Sequence, residues 1–169
     1  LGPRQLSLLE KVLRADSSEE GISLYRETCE AIEKTRSGPD NAARLPERPL
    51  TAMFPRRCHA PLFGLDMMRE MRASRVTLNC HTNAAEGEVG NMRMFEATGV
   101  GTCLLTDNGT NMADLFEAGK EVVTYENAGD CAEKAAWLLS HEDERRAIAE
   151  AGQRRTLRDH TVEARCERI

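Results

Sequence analysis

Three short apolar runs, separated by polar and helical segments, occupy the middle of the chain. The runs Val76–Leu78, Cys103–Leu105 and Glu121–Tyr125 have the length and composition of buried strands. Between the first two, a turn that carries Gly, Asn and Arg opens a short helix over residues 91–98. Strands that alternate with helices of about 8 to 12 residues are typical of βαβ units and a parallel sheet. The pattern therefore predicts an α/β fold in which about half of a doubly wound domain is visible.

The segments that flank this region are predicted to be mainly helical. Leucines at helical spacing predict a helix over residues 4–15, and the capping pattern Ser17-x-x-Glu20 starts a second helix that ends near residues 37–39. Capping residues and glycines predict the remaining helices. Two of them cover Leu65–Ala73 and, after the cap Asn111, Met112–Ala118. The others begin at the cap Asp130, run from Ser140 to Ala151 before Gly152, and cover His160–Arg168.

Residues 37–61 differ from the rest in composition, because they hold five of the six prolines and four arginines. This segment is expected to be a linker or an irregular strap, with a short strand at Leu50–Phe54. Its arginines could contact phosphate or an acidic partner, although such clusters are more often a solvated surface. We divide the chain into a helical, Pro- and Arg-rich appendage, residues 1–60, and an α/β domain, residues 61–169.

The overall composition narrows the class of protein. A net charge of −5, with 30% charged and 40% hydrophobic residues, is ordinary for a soluble globular domain. The acidic balance argues against nucleic acid as the main partner, because phosphate affinity depends on excess Lys and Arg. No apolar run reaches the roughly 18 residues that span a bilayer, and charge comes too early for a signal peptide. We therefore expect a cytoplasmic protein without a transmembrane segment.

The six cysteines form no C-x-x-C pair. Cys29, Cys103 and Cys131 fall on predicted core faces, so buried free thiols in a reducing compartment are the favoured interpretation. The dipeptides Cys58-His59 and Cys80-His81 could be combined into a zinc site, but adjacent ligands lack the usual spacer. We expect no metal site.

The start of the helix over residues 91–98 is the first candidate for chemistry. Gly90 and Asn91 would place free backbone N–H groups and the positive end of the helix dipole beside a diphosphate. Arg93 can reach back to bind phosphate oxygens in bidentate fashion. Glu96, on the same helix face, could accept two hydrogen bonds from a ribose diol. The alternative is a simple surface ion pair between Arg93 and Glu96.

Polar residues at the ends of the first two strands are the second candidate. Asn79 and His81 follow the first strand, and Asp107 ends the second, on the side where ligands bind in such sheets. His81 could donate to a phosphate or a ribose, or it could be a loop histidine with no role. Glu88 lies in the polar loop before Gly90, where most glutamates are only solvated.

Three stretches of this sequence carry a family resemblance. The runs GNMRMFEATGVGTCLLTD, LFEAGKEVVTYE and LLSHEDERRAIAEAGQRRTLRDHT resemble the C-terminal domain of GT-B-type glycosyltransferases, which have two Rossmann-like domains. The subgroup is the CgeB-like one, also described as glycosyltransferase family 1-like, and APLFGLDMMREMRASRVTLNCHTN fits it as well. The resemblance covers residues 61–165.

The resemblance implies a partial Rossmann-like, three-layer parallel sheet that binds a nucleotide-sugar donor and needs no cofactor or obligatory metal. Glu96 resembles the glutamate that holds the ribose hydroxyls, and Arg93 and the amides near Asn91 resemble the diphosphate contacts. Glu88 gives the E-x7-E spacing with Glu96, in which the first glutamate touches the donor sugar. Arg93 and Glu88 are therefore the candidate catalytic residues.

Full enzymes of this architecture also have an N-terminal Rossmann-like domain that binds the acceptor, and residues 1–60 do not resemble it. We therefore expect the donor-binding part of a hexose-type glycosyltransferase that binds nucleotide weakly and transfers nothing alone. Its acceptor could be a glycan, a protein or a lipid-linked sugar. Two alternatives remain: a non-catalytic nucleotide- or sugar-binding module, and an interaction domain that uses residues 44–57 to hold an acidic partner or RNA.

Overall fold

The computed structural model describes residues 18–35, 48–81 and 86–167. The chain forms two compact units, Leu1–Pro61 and Leu62–Ile169. The predicted helix over residues 4–15 lies outside the described residues. Within the described ranges, no helix combines the length and the apolar character that crossing a membrane requires.

The first unit contains helix α1, Glu19–Thr35, and helix α2, Leu50–Met53. The Ser18 hydroxyl accepts a hydrogen bond from the Gly21 N–H at 3.0 Å, so the cap of α1 is Ser18. Tyr25 and Thr28 on one face of this helix are buried.

The strand predicted at Leu50–Phe54 is wrong, because this segment is the helical turn α2. Pro49 has a φ of −62° at the cap position, which suits entry into a helix. The Phe54 N–H then donates to the Leu50 carbonyl at 2.8 Å. Both apolar side chains are exposed, at 59% for Leu50 and 47% for Phe54. The segment therefore satisfies its backbone locally, without the sheet partner that a strand requires.

The second unit is an α/β structure with a three-stranded parallel sheet in the order β1-β2-β3. Its elements, in chain order, are α3 Gly64–Ala73, β1 Val76–Leu78, α4 Met92–Val100, β2 Cys103–Asp107, α5 Met112–Leu115, β3 Val123–Tyr125, α6 Ala128–Ser140, α7 Glu142–Asp159 and α8 Val162–Cys166. The predicted α/β fold with a partial Rossmann-like parallel sheet is confirmed.

Strand β2 is the centre of the core, and its side chains alternate between two faces of the sheet. Leu104 packs into one buried cluster with Met94, Phe116 and Val122. Cys103 and Leu105 point to the other face, where the cluster is completed by Leu138 from α6 and Ala149 from α7. Helices therefore cover both faces and form three layers. Burial raises the pKa of the Cys103 thiol to about 11, so it is an inert core residue.

Several predicted boundaries differ from the structure. Helix α7 does not end at Gly152 but continues to Asp159. Helix α5 ends at Leu115, and strand β3 begins at Val123 rather than Glu121. The turn between them is closed by the Gly119 N–H, which donates to the Val122 carbonyl at 2.7 Å.

Two predicted caps act differently. The Asn111 side chain does not cap α5, because it bonds the backbone of Val89, accepting at 2.8 Å and donating at 2.9 Å. Helix α6 is capped by Asn127, whose side chain accepts from the Asp130 N–H at 3.1 Å. For α5 the pattern therefore gave the first helical residue, Met112, but not the capping bond, and for α6 it gave the helix but not its first residue.

An ion cluster fixes the start of α7 to the start of β1. The Arg75 Nη2 donates to Glu142 Oε2 at 2.8 Å, and the buried Arg145 also donates to the Glu142 carboxylate. Arg145 Nη1 donates to the Arg75 carbonyl at 2.8 Å. Hydrogen bonds from Arg145 and then Arg75 lower the pKa of Glu142 from its ordinary value of 4.5 to about 2.

This cluster predicts a pH dependence of stability. Because the pKa of Glu142 is lowered on folding, its contribution is present above pH 4.5 and is lost as the pH falls toward 2. The free energy of unfolding, measured with urea across this acidic range, should therefore fall less steeply with decreasing pH in Glu142→Gln than in the wild type. Glu144→Gln, on the exposed side of the same first turn of α7, is the control and should keep the wild-type slope. Equal slopes in all three proteins would contradict the role of Glu142.

Candidate functional site

Polar residues from all three strands meet at the carboxyl edge of the sheet. Asn79 and His81 follow β1, Asp107 ends β2, and Tyr125 ends β3. The Tyr125 hydroxyl donates to the Asn79 carbonyl at 2.8 Å. The sequence predicted a shared edge for the first three residues, because parallel strands end on the same side. The structure brings them together as predicted.

His81 and Asp107 form the central pair of this edge. The His81 backbone N–H donates to Asp107 Oδ2 at 2.9 Å, and the His81 ring Nδ1 lies 2.7 Å from Asp107 Oδ1. Burial raises the pKa of the Asp107 carboxyl, but hydrogen bonds from His81 and from the Thr106 hydroxyl outweigh it, so the pKa lies below its ordinary value. Asp107 is therefore ionised and holds the imidazole in one orientation.

The other ring nitrogen of His81 accepts hydrogen bonds from the start of α4. Nε2 lies 3.0 Å from the Gly90 nitrogen and 3.3 Å from the Asn91 nitrogen, and both of these are N–H donors. The hydrogen-bond pattern thus assigns the proton to Nδ1 and the lone pair to Nε2. The backbone amides of Gly90 and Asn91, which the sequence predicted to bind a diphosphate, thus donate to this imidazole.

Asn79 and Asn91 form a second link between β1 and α4. The Asn91 amide donates to Asn79 Oδ1 at 3.1 Å, and the Asn79 amide donates to Asn91 Oδ1 at 3.2 Å. Asn79 is buried and also donates to the Thr106 hydroxyl at 3.0 Å. Asn91 Oδ1 accepts from the Met94 N–H at 3.3 Å, so Asn91 is the cap of α4. These bonds fix the N-terminus of α4 against the sheet edge.

Arg93 and Glu96 form a separate group on α4. Arg93 Nη1 lies 3.0 Å from Glu96 Oε2, 2.8 Å from the Met67 sulfur and 3.4 Å from the Met71 sulfur of α3. The side chains are 37% and 18% exposed, respectively. In the described part of the chain, no hydrogen bond joins this pair to the His81 group. The ion pair named as the alternative is formed, and the donor-binding role of both residues stays a prediction.

Glu88 and Gly90 lie on the loop that leads into α4. The Glu88 side chain is exposed and next to the buried Val89. Gly90 has a φ of +135°, a conformation that suits glycine and lets the chain turn into the helix beside His81. The catalytic assignment of Glu88 stays a prediction.

A cavity that the sequence did not reveal lies beside the same edge. Its volume is about 520 Å³, and its lining includes the turn after β2, the helix α5 and one arginine of α7. Arg155 Nε donates to the Leu115 carbonyl at 3.1 Å and lies 3.0 Å from Asp159. The polar lining residues are Asn108, Thr110, Glu117, Glu121 and Arg155.

The turn Asn108-Gly109-Thr110 after a strand was the available sequence signal for this cavity. A Cβ at Gly109 would lie 2.6 Å from the Val89 side chain and 2.9 Å from the Gly87 carbonyl, so the loop before α4 packs directly on this turn. Arg155 could not have been placed there from sequence, because it comes from a helix whose packing is set by tertiary contacts.

A comparison with protein families assigns the chain. A family model described as glycosyl transferase-like matches residues 26–169. The chain belongs to this glycosyl transferase-like family. A search of curated proteins found no match. The matched range holds the carboxyl-edge group, the Arg93–Glu96 pair and the neighbouring cavity, and it begins earlier than the resemblance over residues 61–165. A general role in glycosyl transfer follows from the family.

The side chains of this glycosyl transferase-like domain do not form a metal centre in the described ranges, where no three His, Cys, Asp or Glu residues are grouped to hold an ion. Cys58, Cys80 and the four other cysteines are free thiols. His81, which the sequence paired with Cys80 as a possible zinc ligand, instead directs both ring nitrogens to Asp107 and to the backbone of α4.

Proposed function

We propose that this glycosyl transferase-like chain binds a nucleoside diphosphate sugar at the carboxyl edge of its sheet. The supporting observation is the His81–Asp107 pair, which gathers two backbone amides at the N-terminus of α4 at this edge. Such amides, together with the helix dipole, favour a phosphate group. The CgeB-like sequence runs and the family match support placing the chain as the C-terminal, donor-binding domain of a GT-B-type transferase.

In this proposal the imidazole of His81 occupies the place of a phosphate oxygen when no donor is bound. Its Nε2 accepts from both the Gly90 and the Asn91 amide, as an oxygen of the diphosphate would. Asn79 and Asp107 then serve the site by holding Asn91 and His81 in position. The donor phosphate displaces the imidazole from the amides and remains in contact with it.

Arg93 and Glu96 supply the remaining contacts with the donor. The guanidinium, about a third exposed, can turn from the methionine sulfurs to the diphosphate, while the Glu96 carboxylate accepts from the ribose hydroxyls. Developing negative charge on the leaving diphosphate is stabilised by Arg93 and the α4 amides. Glu88, exposed on the preceding loop, faces the donor sugar in this proposal.

The partner of this domain is a second Rossmann-like domain that binds the acceptor. The described residues form three strands, whereas a complete doubly wound sheet has about six. We propose that the hexose passes to a glycan, protein or lipid-linked acceptor in the cleft between the two domains, and that this chain alone transfers nothing. The free thiols are those of a protein that acts in a reducing compartment such as the cytoplasm.

Calorimetric titration with UDP, GDP and their hexose conjugates tests the donor site. The wild type should bind at least one of them, and Arg93→Ala and Glu96→Ala should each weaken that binding about tenfold, which corresponds to roughly 1.4 kcal/mol. Arg69→Ala is the matched control, because Arg69 forms the same kind of i,i+3 ion pair, with Asp66 at 2.8 Å, on α3. The proposal is wrong if no nucleotide binds, or if all variants bind as the wild type does.

A further inference from the structure

A second cleft lies at the opposite, amino edge of the sheet. Its volume is about 270 Å³, and it opens between the end of α3, the turns that lead into β1 and β2, and the first half of α7. Its lining residues are Arg72, Ala73, Ser74, Arg75, Gly101, Arg145, Arg146, Ala149 and Glu150. Four guanidinium groups and a single carboxylate thus surround a small space, in a chain whose net charge is −5.

Two of these arginines are held in fixed positions. Arg145 is buried, and its three described bonds go to the Glu142 carboxylate and the Arg75 carbonyl. Arg75 donates to the same carboxylate and to the Leu139 carbonyl at 2.7 Å. Each guanidinium has five N–H donors, so both keep donors that these bonds do not use. Glu142 offsets only one of the two positive charges.

The other two arginines carry charge without a partner among the described residues. Arg72 ends α3 and Arg146 lies in the first half of α7, and both side chains are exposed. Glu150, the carboxylate of the lining, lies 3.9 Å from Arg154 and so is directed to a neighbour outside the cleft. The cleft therefore has uncompensated positive charge from two helices, in addition to the two anchored guanidinium groups.

Such a site favours a compact group with several anionic oxygens. Guanidinium groups recognise phosphate through paired N–H donors, and groups that arrive from different elements can each bond a different oxygen. A phosphate group with a small substituent fits the volume of the cleft. Since β1 has three residues that each advance about 3.3 Å, the cleft is also separated from the carboxyl edge by the length of a strand.

We propose that this amino-edge cleft binds a phosphate group, either in a soluble phosphate or in the headgroup of an anionic lipid. It is a site apart from the donor edge, and it does not depend on the proposed nucleotide-sugar binding. The exposed Arg72 and Arg146 bind the phosphate oxygens, and Arg75 and Arg145, which are held in place by Glu142 and backbone carbonyls, add fixed positive charge.

Titration of inorganic phosphate in a low-salt, phosphate-free buffer, followed by calorimetry, tests this proposal. The double variant Arg72→Gln/Arg146→Gln should weaken binding about tenfold or more. The double variant Arg69→Gln/Arg158→Gln removes the same charge from exposed positions of the same two helices, outside the cleft lining, and leaves Arg154 beside Glu150; it should stay within about twofold of the wild type. Arg93→Ala, at the donor edge, should keep the phosphate binding that Arg72→Gln/Arg146→Gln loses.

Vesicles of phosphatidylcholine with and without phosphatidic acid distinguish the two sources of phosphate. Co-sedimentation that requires phosphatidic acid, and that Arg72→Gln/Arg146→Gln abolishes, identifies the lipid headgroup; phosphate binding without co-sedimentation identifies a soluble ligand. The proposal is overturned if the wild type binds no phosphate, if both double variants lose affinity equally, or if the loss occurs in Arg93→Ala instead. A failure of nucleotide binding would leave these results unchanged, so the two proposals fail separately.

Discussion

Gly152→Ala is expected to destabilise the protein, although alanine is a better helix former than glycine. A Cβ at Gly152 would lie 2.3 Å from the Glu121 carbonyl oxygen, a backbone atom that cannot move aside as a flexible side chain can. The clash should cost about 1–3 kcal/mol and lower the melting temperature by roughly 2–12 °C. Thermal unfolding followed by circular dichroism measures the effect.

Gly99→Ala is the matched control for this substitution. Gly99 lies in α4, which packs against α7, and a Cβ there would meet only the Thr156 methyl at an ordinary 3.6 Å. Because alanine favours helix by up to about 1 kcal/mol over glycine, this variant should be neutral or more stable than the wild type. Equal stability of Gly152→Ala and Gly99→Ala would mean that α7 and the Glu121 turn are not in direct contact.

His81→Ala should remove the pair that organises the carboxyl edge. The charge-assisted hydrogen bond to Asp107 is lost, and the amides of Gly90 and Asn91 lose their acceptor. A hydrogen bond to a charged group contributes about 1.5–3 kcal/mol, so the free energy of unfolding at neutral pH should fall by about 2 kcal/mol. His59→Ala, an exposed histidine with no described hydrogen bond, should leave it unchanged.

The same variant, His81→Ala, should also change the pKa of Asp107. Hydrogen bonds from His81 keep the pKa of Asp107 below its ordinary value, so this carboxylate stabilises the fold above that value and the stabilisation is lost as the pH falls. In His81→Ala the pKa of Asp107 should rise, and NMR titration of the side-chain carboxyl measures it directly. An unchanged pKa would show that the two side chains do not interact in solution.

The affinity of His81→Ala for UDP separates two roles of this histidine. If the imidazole holds the place of a phosphate oxygen, its removal frees two amides and should tighten binding several-fold. A loss as large as that of Arg93→Ala would show instead that His81 is a ligand whose contact with the donor outweighs its competition for the amides. A dissociation constant equal to that of the wild type would place the diphosphate away from Gly90 and Asn91.

The sheet was accessible from sequence because short apolar runs of strand length stand out against helices with clear periodicity. The convergence of Asn79, His81 and Asp107 followed from one rule, that parallel strands end on the same side. This rule does not predict which atoms of these side chains form hydrogen bonds with each other or with the backbone. The bond between the His81 imidazole and the α4 amides depends on the turn at Gly90, whose backbone conformation no residue pattern specifies.

The errors have a common physical origin in contacts between distant segments. Gly152 looked like a helix terminator, but it is a glycine because α7 touches the backbone of Glu121. Arg145 reads as a surface residue of a strongly polar helix, and it is buried because it joins Glu142 to the carbonyl of Arg75. Local propensity has no access to either contact, so the sequence gave Gly152 its most frequent role and did not single out Arg145.

In the part of the chain that the structure describes, strand β1 has a hydrogen-bonded neighbour on one side only, since the sheet order places it at an edge. Its Leu78 side chain is 62% exposed, although strands of parallel sheets are ordinarily covered on both faces. A further strand laid alongside β1 would pair its open backbone groups, and helices that came with it would shield this leucine. Leu78 therefore marks the edge of the described sheet at which a further strand could pair.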